Sequence, residues 1–263
     1  MPRVVPVVAA VLAILLGGAG CGSSGAEPAR CTLRGTAYTF TAEQTANAAT
    51  IAAVGRQLAV PERAITVALA TALQESRLRN LDYGDRDSQG LFQQRPSQGW
   101  GTPEQVTEPR YAATAFYTAL VELPDWEDMR LTDAAQAVQR SGFPEAYQQW
   151  EGEAQALTTA LGGQVAGVSC TAAEAEPVAT VDERSTALVT LVEADLSATP
   201  RITGPTLHWA AGDQSWILAT WLVAHAERFG LVEVAHDGRR WAPGSGWTTE
   251  PVESADEVRA ELG

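Results

Sequence analysis

A single carboxylate and a short polar loop carry the chemistry that this sequence suggests. Glu75 follows the small and apolar run from Ala68 to Leu73. Burial beside such residues raises the pKa of a carboxyl group, and the partial negative charge at the end of a helix raises it further. A carboxyl group that holds its proton near neutral pH can act as a general acid. The alternative is a solvated glutamate at a helix end, paired with Arg77 or Arg79.

The polar loop runs from Ser88 to Gln94 and contains two large apolar residues, Leu91 and Phe92. We expect these two side chains to insert into a core and to hold the neighbouring amides in fixed positions. Glutamine side chains offer both donors and acceptors, which suits sugar hydroxyls and N-acetyl groups. Ser88, Gln93 and Gln94 are therefore candidate substrate-binding residues. The alternative is an ordinary polar turn at the surface.

Helices are the elements expected to position these residues. A capping box is present at Thr41-Ala42-Glu43-Gln44 and predicts a helix from there to about Leu58. Pro61 suits the first turn of a second helix, which should end near Arg79 and carry Glu75 in its last turn. Three further helices are expected at residues 109–123, 132–141 and 144–162.

Together the two segments resemble a known family. The chain reads Gln74-Glu75-Ser76 and then Asp87-Ser88-Gln89-Gly90-Leu91-Phe92-Gln93. This is similar to the Glu-Ser and Gly-Leu-Met-Gln motifs of the soluble lytic transglycosylases, in the lysozyme-like superfamily, with Phe92 at the Met position. The resemblance covers roughly residues 40–160. The runs at 90–97 and 135–141 are also similar to exported transglycosylase-like proteins of actinobacteria.

The resemblance implies a mostly α lysozyme-like domain that acts on the glycan strands of peptidoglycan without a cofactor. Glu75 would be the single catalytic acid and base. It would protonate the glycosidic oxygen between N-acetylmuramic acid and N-acetylglucosamine and then deprotonate the muramoyl 6-hydroxyl, giving a 1,6-anhydro product. Ser88 and Gln93 match positions that line the family's cleft. Hydrolysis stays open, because it needs a second carboxylate and residues 82, 85 and 87 are aspartates.

One later position departs from the family's pattern. Lytic transglycosylases carry Ala-Tyr-Asn-x-Gly, whose Tyr supports the catalytic Glu, whereas this chain reads Ala137-Val138-Gln139-Arg140-Ser141-Gly142. Gln139 stands in for the Asn. Tyr147 is the candidate for the missing hydroxyl and for a further substrate-binding residue. The alternative hypothesis is therefore a catalytically weak or inactive lipoprotein that binds peptidoglycan, with a C-terminal domain that recruits an unknown protein partner.

Residues 1–21 are predicted to be an export signal. Arg3 precedes an apolar run from Val4 to Leu16, and small residues then lead to Cys21. The cysteine resembles that of a lipobox, which would be lipidated and would anchor the protein at the outer face of the cytoplasmic membrane, facing the cell wall. Residues 22–30 would form the tether. The alternative is cleavage after Ala26 and simple secretion.

Cys31 and Cys170 remain as an even pair once Cys21 carries a lipid. Exported proteins fold in an oxidising compartment, so the pair predicts a disulfide. The bridge would close a long loop, which stabilises the folded state by about 4–5 kcal/mol in the loop-entropy treatment. The alternative is two free thiols.

The chain is predicted to contain a mostly α lysozyme-like domain at 31–170, a linker at 171–180 and a small α/β (α+β) domain at 181–263. In the last domain the sequence predicts a β-rich stretch at 187–192, a helix at 213–229, and strands at 231–236 and 239–242 joined by an Asp-Gly turn. The domain resembles a C-terminal module of exported actinobacterial proteins. Its zinc motif is absent at residues 207–213, so we expect a structural or wall-facing domain.

The net charge of −14 and a pI of about 4.6 argue against nucleic-acid binding, which needs a basic face.

The three histidines, His208, His225 and His236, all lie in the predicted C-terminal domain. They lack the cluster of Asp and Glu partners that a zinc site requires. We therefore expect structural histidines and no metal site.

Overall fold

The computed structural model describes residues 29–171, 179–250 and 256–263 and has a mixed α+β architecture. Its helices are α1 (Ala42–Gln57), α2 (Glu62–Ser76), α3 (Pro103–Val106), α4 (Pro109–Val121), α5 (Leu131–Gln139), α6 (Glu151–Leu161), α7 (Val181–Leu196), α8 (Ser215–Ala224) and α9 (Ala226–Phe229). Its strands are β1 (Arg30–Leu33), β2 (Thr39–Thr41), β3 (Val168–Cys170), β4 (Arg201–Thr203), β5 (Thr206–Ala210), β6 (Leu231–His236), β7 (Arg239–Ala242), β8 (Gly246–Thr249) and β9 (Glu257–Leu262).

Several predictions concern residues outside the described ranges. These are the export signal, the lipidated Cys21, most of the tether, and residues 172–178 of the linker. Among the described residues, every helix is too short or too polar to cross a lipid bilayer.

Helix α2 is the central element of the helical part. Every residue from Ala64 to Leu73 is buried, and the helix packs against α1, α4, α5 and α6. A helix that is buried on all sides is mostly apolar, and the hydroxyls of its buried Thr66 and Thr71 donate to carbonyls within the helix. Its many alanines let the neighbouring helices approach closely. The predicted central helix is therefore confirmed, and it carries Glu75 in its last turn.

Helix α2 ends about three residues earlier than the sequence predicts. Arg77 and Leu78 both adopt the left-handed conformation, with φ of 56° and 57°, so the helix ends at Ser76. Amides from α1 satisfy the carbonyls of this turn: Gln44 Nε2 donates to the carbonyl of Arg77 and Asn47 Nδ2 to that of Leu78, each at 2.8 Å. Helix α1 thus fixes the position at which the chain leaves Glu75.

The remaining helices of this part match the prediction with one correction. The capping box is present, since Gln44 N donates to Thr41 Oγ1 and Thr41 N donates to Gln44 Oε1. The last helix begins at Glu151, seven residues later than the proline at 144 indicates. Residues 144–147 form a turn and 148–150 a short 3-10 helix. Trp150 Nε1 donates to Gln74 Oε1 at 2.8 Å, and this tertiary contact outweighs the local helix signal.

A three-stranded sheet, in the order β2-β1-β3, joins the two ends of the helical part. Cys31 and Cys170 face each other in the antiparallel register of β1 and β3 and form a disulfide. The predicted bridge is therefore present. Its loop spans 139 positions, for which the loop-entropy treatment gives a stabilisation of about 4–5 kcal/mol.

The C-terminal part contains a six-stranded antiparallel sheet, in the order β4-β5-β9-β6-β7-β8, with α8 packed against it. The predicted strands at 231–236 and 239–242 are confirmed as β6 and β7. The β-rich prediction for 187–192 is wrong, because these residues lie inside α7. A capping box between Thr180 and Glu183 starts that helix, and buried Leu188 and Val192 recur at helical spacing.

Candidate active site

Glu75 lies in the last turn of α2, where its side chain is partly buried. The Tyr147 hydroxyl donates a hydrogen bond to Glu75 Oε1 at 2.7 Å. Tyr147 is itself fully buried, in the turn that precedes α6. Tyr147 therefore supplies the hydroxyl beside Glu75 for which the sequence makes it the candidate. Because it is buried and does not line the cleft, it fixes one carboxyl oxygen and does not contact a substrate as predicted.

Burial is the main influence on the ionisation of this pair. Desolvation raises the pKa of Glu75, and hydrogen bonding from Tyr147 and Gln139 opposes the rise by stabilising the carboxylate. Burial and the nearby Glu75 charge also raise the pKa of Tyr147, so its hydroxyl keeps its proton and remains a donor. The site thus holds a carboxyl group that is easier to protonate than an exposed glutamate.

The Ser88–Gln94 loop is docked rigidly beside Glu75. Leu91 and Phe92 are fully buried, as predicted, and Phe92 stacks on Phe116 with ring centroids 4.9 Å apart. Ser76 Oγ donates to the carbonyl of Leu91 at 2.7 Å, and Gln139 Nε2 donates to that of Phe92 at 2.8 Å. Residues from the ends of α2 and α5 therefore hold the loop against the base of the site.

Gly90 allows the loop to make its tight turn. Its φ is 79°, and an added Cβ would lie 2.0 Å from the carbonyl oxygen of Val106. A side chain at this position would collide with backbone, which cannot move aside as a flexible side chain can. The glycine of the motif is thus required by the path of the loop.

The predicted substrate-binding residues of the loop have different surroundings. Gln93 is partly exposed, and its Nε2 donates to the carbonyls of Tyr83 and Gly90 at 3.3 and 3.2 Å. Ser88 is largely buried but reaches the same cleft. Gln94 is only 2% exposed, and its Nε2 donates to the carbonyl of Ala112 at 3.0 Å. Gln94 thus anchors the loop to α4, a role that the sequence does not predict.

Glu75 opens into a cleft with a volume of about 800 Å³. One wall is formed within residues 85–100 and includes Trp100, and a second wall is residues 137–143. Phe143 on the second wall is 78% exposed, an unusual value for a large apolar side chain. Aromatic faces beside a polar cleft suit the apolar faces of sugar rings. No periodic pattern in the sequence marks Phe143, because it lies in the irregular segment between α5 and the turn at 144–147.

Other carboxylates near the cleft are not equivalent to Glu75. Asp87 accepts hydrogen bonds from Arg95 Nε at 3.0 Å, from Ser97 N at 2.7 Å and from Ser97 Oγ at 2.9 Å. These donors hold the pKa of Asp87 well below its usual range. Asp87 therefore stays ionised and stabilises the loop through these bonds. Asp85 and Glu122 are exposed carboxylates that line the cleft.

The described residues contain no group of three or more His, Cys, Asp or Glu side chains arranged to hold a metal ion. His225 is buried and stacked on Trp221 with ring centroids 3.8 Å apart, and burial lowers its pKa to about 3. His208 lies 3.1 Å from Glu257 on the C-terminal sheet, and His236 Nδ1 lies 3.1 Å from the carbonyl of Glu257. Each described histidine thus has a packing or hydrogen-bonding partner within the C-terminal part.

Comparison with models of protein families and with curated proteins finds no match for this chain. The chemistry of the cleft is therefore the basis for a functional proposal. A single carboxyl group with a raised pKa, a tyrosine that fixes it and exposed aromatic side chains are together suited to acid catalysis on a carbohydrate.

Proposed function

We propose that this protein is an exported lytic transglycosylase with a lysozyme-like domain, which cleaves the glycan strands of peptidoglycan. The observation that carries the proposal is the environment of Glu75: its pKa is raised by burial, Tyr147 fixes Oε1, and the group opens into a cleft of about 800 Å³. The resemblance of the Glu75–Gln94 stretch to the transglycosylase motifs supports the same function.

Glu75 would act first as an acid. Tyr147 donates to Oε1 and holds the carboxyl group in place where it opens into the cleft, so a protonated Glu75 can present its proton to a bound strand. Proton transfer to the glycosidic oxygen accompanies cleavage of the bond between that oxygen and C1 of N-acetylmuramic acid. The N-acetylglucosamine part then leaves with a hydroxyl group, and Glu75 is left as a carboxylate that Tyr147 stabilises.

Glu75 would act second as a base. Its carboxylate takes the proton of the muramoyl 6-hydroxyl, and the oxygen of that hydroxyl bonds to C1. The product is a 1,6-anhydro sugar, the carboxyl group regains its proton, and no water is consumed. A hydrolase would instead place a water on C1 and would need a second carboxylate, for which Asp85 or Glu122 are the cleft residues present.

Two features support export to the cell-wall side of the membrane. The Cys31–Cys170 disulfide is typical of proteins that fold outside the cytoplasm. The sequence before residue 22 also has the pattern of an export signal with a lipidated Cys21. We place the protein at the outer face of the cytoplasmic membrane, anchored by that lipid, where glycan strands are accessible.

The experiment is digestion of purified cell wall followed by mass spectrometry of the released fragments. Wild type should release fragments that carry the 1,6-anhydro mass, and Glu75→Gln should release none. Glu43→Gln is the matched control, because Glu43 is an exposed glutamate in the first turn of α1. If the released fragments instead end in ordinary reducing sugars, the protein is a hydrolase and not a transglycosylase. If wild type binds the wall and releases nothing, the protein is a binder and the enzymatic proposal fails.

A further inference from the structure

The charged residues of the cleft include one cation that has no partner among the described residues. Arg95 is paired with Asp87, since its Nε lies 3.0 Å from Asp87 Oδ1. Arg140 also lines the cleft, and its exposed guanidinium makes no hydrogen bond or ion pair with any described residue. The other charged groups there, Asp85 and Glu122 among them, are acids. Arg140 therefore supplies the unneutralised positive charge of the cleft.

The backbone directs Arg140 to this wall. Arg140 ends α5 in the left-handed conformation, with φ of 52°, and its N–H donates to the carbonyl of Gln136. The preceding residue, Gln139, is fixed to the Ser88–Gln94 loop through Phe92. The position of Arg140 relative to Glu75 is thus set by rigid elements, whereas its exposed side chain remains available to a ligand.

Arg140 and the exposed ring of Phe143 lie on the same wall, three residues apart. Three residues span at most about 10 Å, so a sugar ring packed on Phe143 lies within reach of the long arginine side chain. The chain carries a net charge of −14, which repels anions in general. An anionic substituent on the sugar would need a local cation such as this one.

We infer that Arg140 binds a carboxylate substituent of the glycan strand and thereby makes the cleft selective for carboxylate-bearing strands over neutral ones. The inference rests on the proposed function. A guanidinium presents paired N–H donors that match the two oxygens of a carboxylate. In peptidoglycan the carboxylate can be the lactyl group of a peptide-free sugar or an acidic group of an attached peptide stem. Both sources offer the same chemistry to Arg140.

The experiment measures binding by titration calorimetry in a Glu75→Gln background, which removes turnover. Three oligosaccharides of equal length are compared: peptide-free strands with lactyl carboxylates, strands with intact peptide stems, and neutral N-acetylglucosamine oligomers. Adding Arg140→Gln should weaken binding of the recognised carboxylate ligand by about three- to tenfold, since the contact is partly solvated. Arg140→Lys should restore part of the loss. Arg201→Gln, an exposed arginine on β4, should change nothing.

The pattern of losses identifies the ligand. A loss on peptide-free strands assigns the lactyl carboxylate, and a loss confined to stem-bearing strands assigns the peptide. An equal loss on the neutral oligomer, or no loss on any ligand, overturns the role of Arg140 and leaves the proposed function standing. If the Glu75→Gln parent binds none of the three, the proposed function fails together with this inference.

Discussion

The Tyr147 hydroxyl lies 2.7 Å from Glu75 Oε1, and the hydrogen bond joins residues 72 positions apart in the chain. Tyr147 reaches the carboxyl group from the turn before α6, whereas the transglycosylase motif that the sequence resembles has its tyrosine at the position of Val138, near the end of α5. In this chain the tyrosine beside the carboxyl group thus comes from a different segment than in that motif. Because it is buried, it can hold Oε1 in one orientation.

Tyr147→Phe is expected to lower kcat by about tenfold, since it removes a hydrogen bond to the charged carboxylate. That hydrogen bond lowers the pKa of Glu75, so its loss raises the pKa further. An acid catalyst loses activity as the pH rises above its pKa. The falling limb of the pH–rate profile on soluble glycan should therefore move to higher pH in the variant.

The control is Tyr117→Phe, which removes a second buried tyrosine hydroxyl. Tyr117 donates to the carbonyl of Ile51 at 3.0 Å, between α4 and α1. Its loss should lower stability without moving the pH–rate profile. The proposed role of Tyr147 is contradicted if its variant keeps the wild-type profile, or if both variants shift the profile equally.

The raised pKa of Glu75 also predicts how stability depends on pH. A group whose folded pKa lies above its unfolded value stabilises the folded state fully at pH below the unfolded pKa, and this contribution is lost as pH rises through the folded pKa. Glu75→Gln removes the buried charge. At pH 8 we expect its Tm to exceed that of wild type by about 1–2 °C, because the neutral amide avoids the desolvation cost of a partly buried carboxylate.

At pH 4 the difference in Tm between Glu75→Gln and wild type should shrink, because the wild-type carboxyl group then holds its proton. Thermal melts followed by circular dichroism at the two pH values measure this. Glu43→Gln is the control, since Glu43 is an exposed glutamate in the first turn of α1. A Glu75→Gln variant that is less stable than wild type at pH 8 would contradict this prediction, because it would show that the folded protein stabilises the ionised carboxylate.

Local signals predicted much of the site. The capping box at Thr41, the buried run that leads to Glu75 and the apolar pair Leu91-Phe92 each act over a few residues, and each has the predicted structure. The disulfide needed only the count of cysteines. These features could be predicted because their causes lie within one turn of helix, one loop, or the redox state of a compartment.

Contacts distant in sequence account for what was missed. The bond from Trp150 to Gln74 accompanies the late start of α6, and no local pattern contains it. The Tyr147 hydroxyl, by contrast, is named from the sequence as the candidate partner of Glu75, and that bond is present. The stretch 187–192 is rich in β-branched residues, yet it is helical because its Leu188 and Val192 face a core that forms only in the folded protein. Tertiary packing there outweighs β propensity.

Asp195 of α7 links the C-terminal part to the helical part. Its carboxylate is almost completely buried, accepts hydrogen bonds from Thr50 Oγ1 at 3.3 Å and Trp221 Nε1 at 2.8 Å, and is paired with Arg110. Asp195→Ala would leave three donors without an acceptor. We expect the free energy of unfolding to fall by about 2–3 kcal/mol. The loss is smaller than for a fully buried ion pair, because the partly exposed Arg110 can be hydrated in the variant.

Urea denaturation followed by tryptophan fluorescence measures this loss, with Asp128→Ala, an exposed aspartate in a loop, as the control.

Because α7 and α8 both pack on α1, we expect wild type to unfold in one transition and a chain of residues 29–171 to remain unfolded. A truncated chain that folds and binds peptidoglycan would show that the two parts are independent domains. Since α1 also holds the end of α2 beside Glu75, loss of the C-terminal part should disturb the site itself.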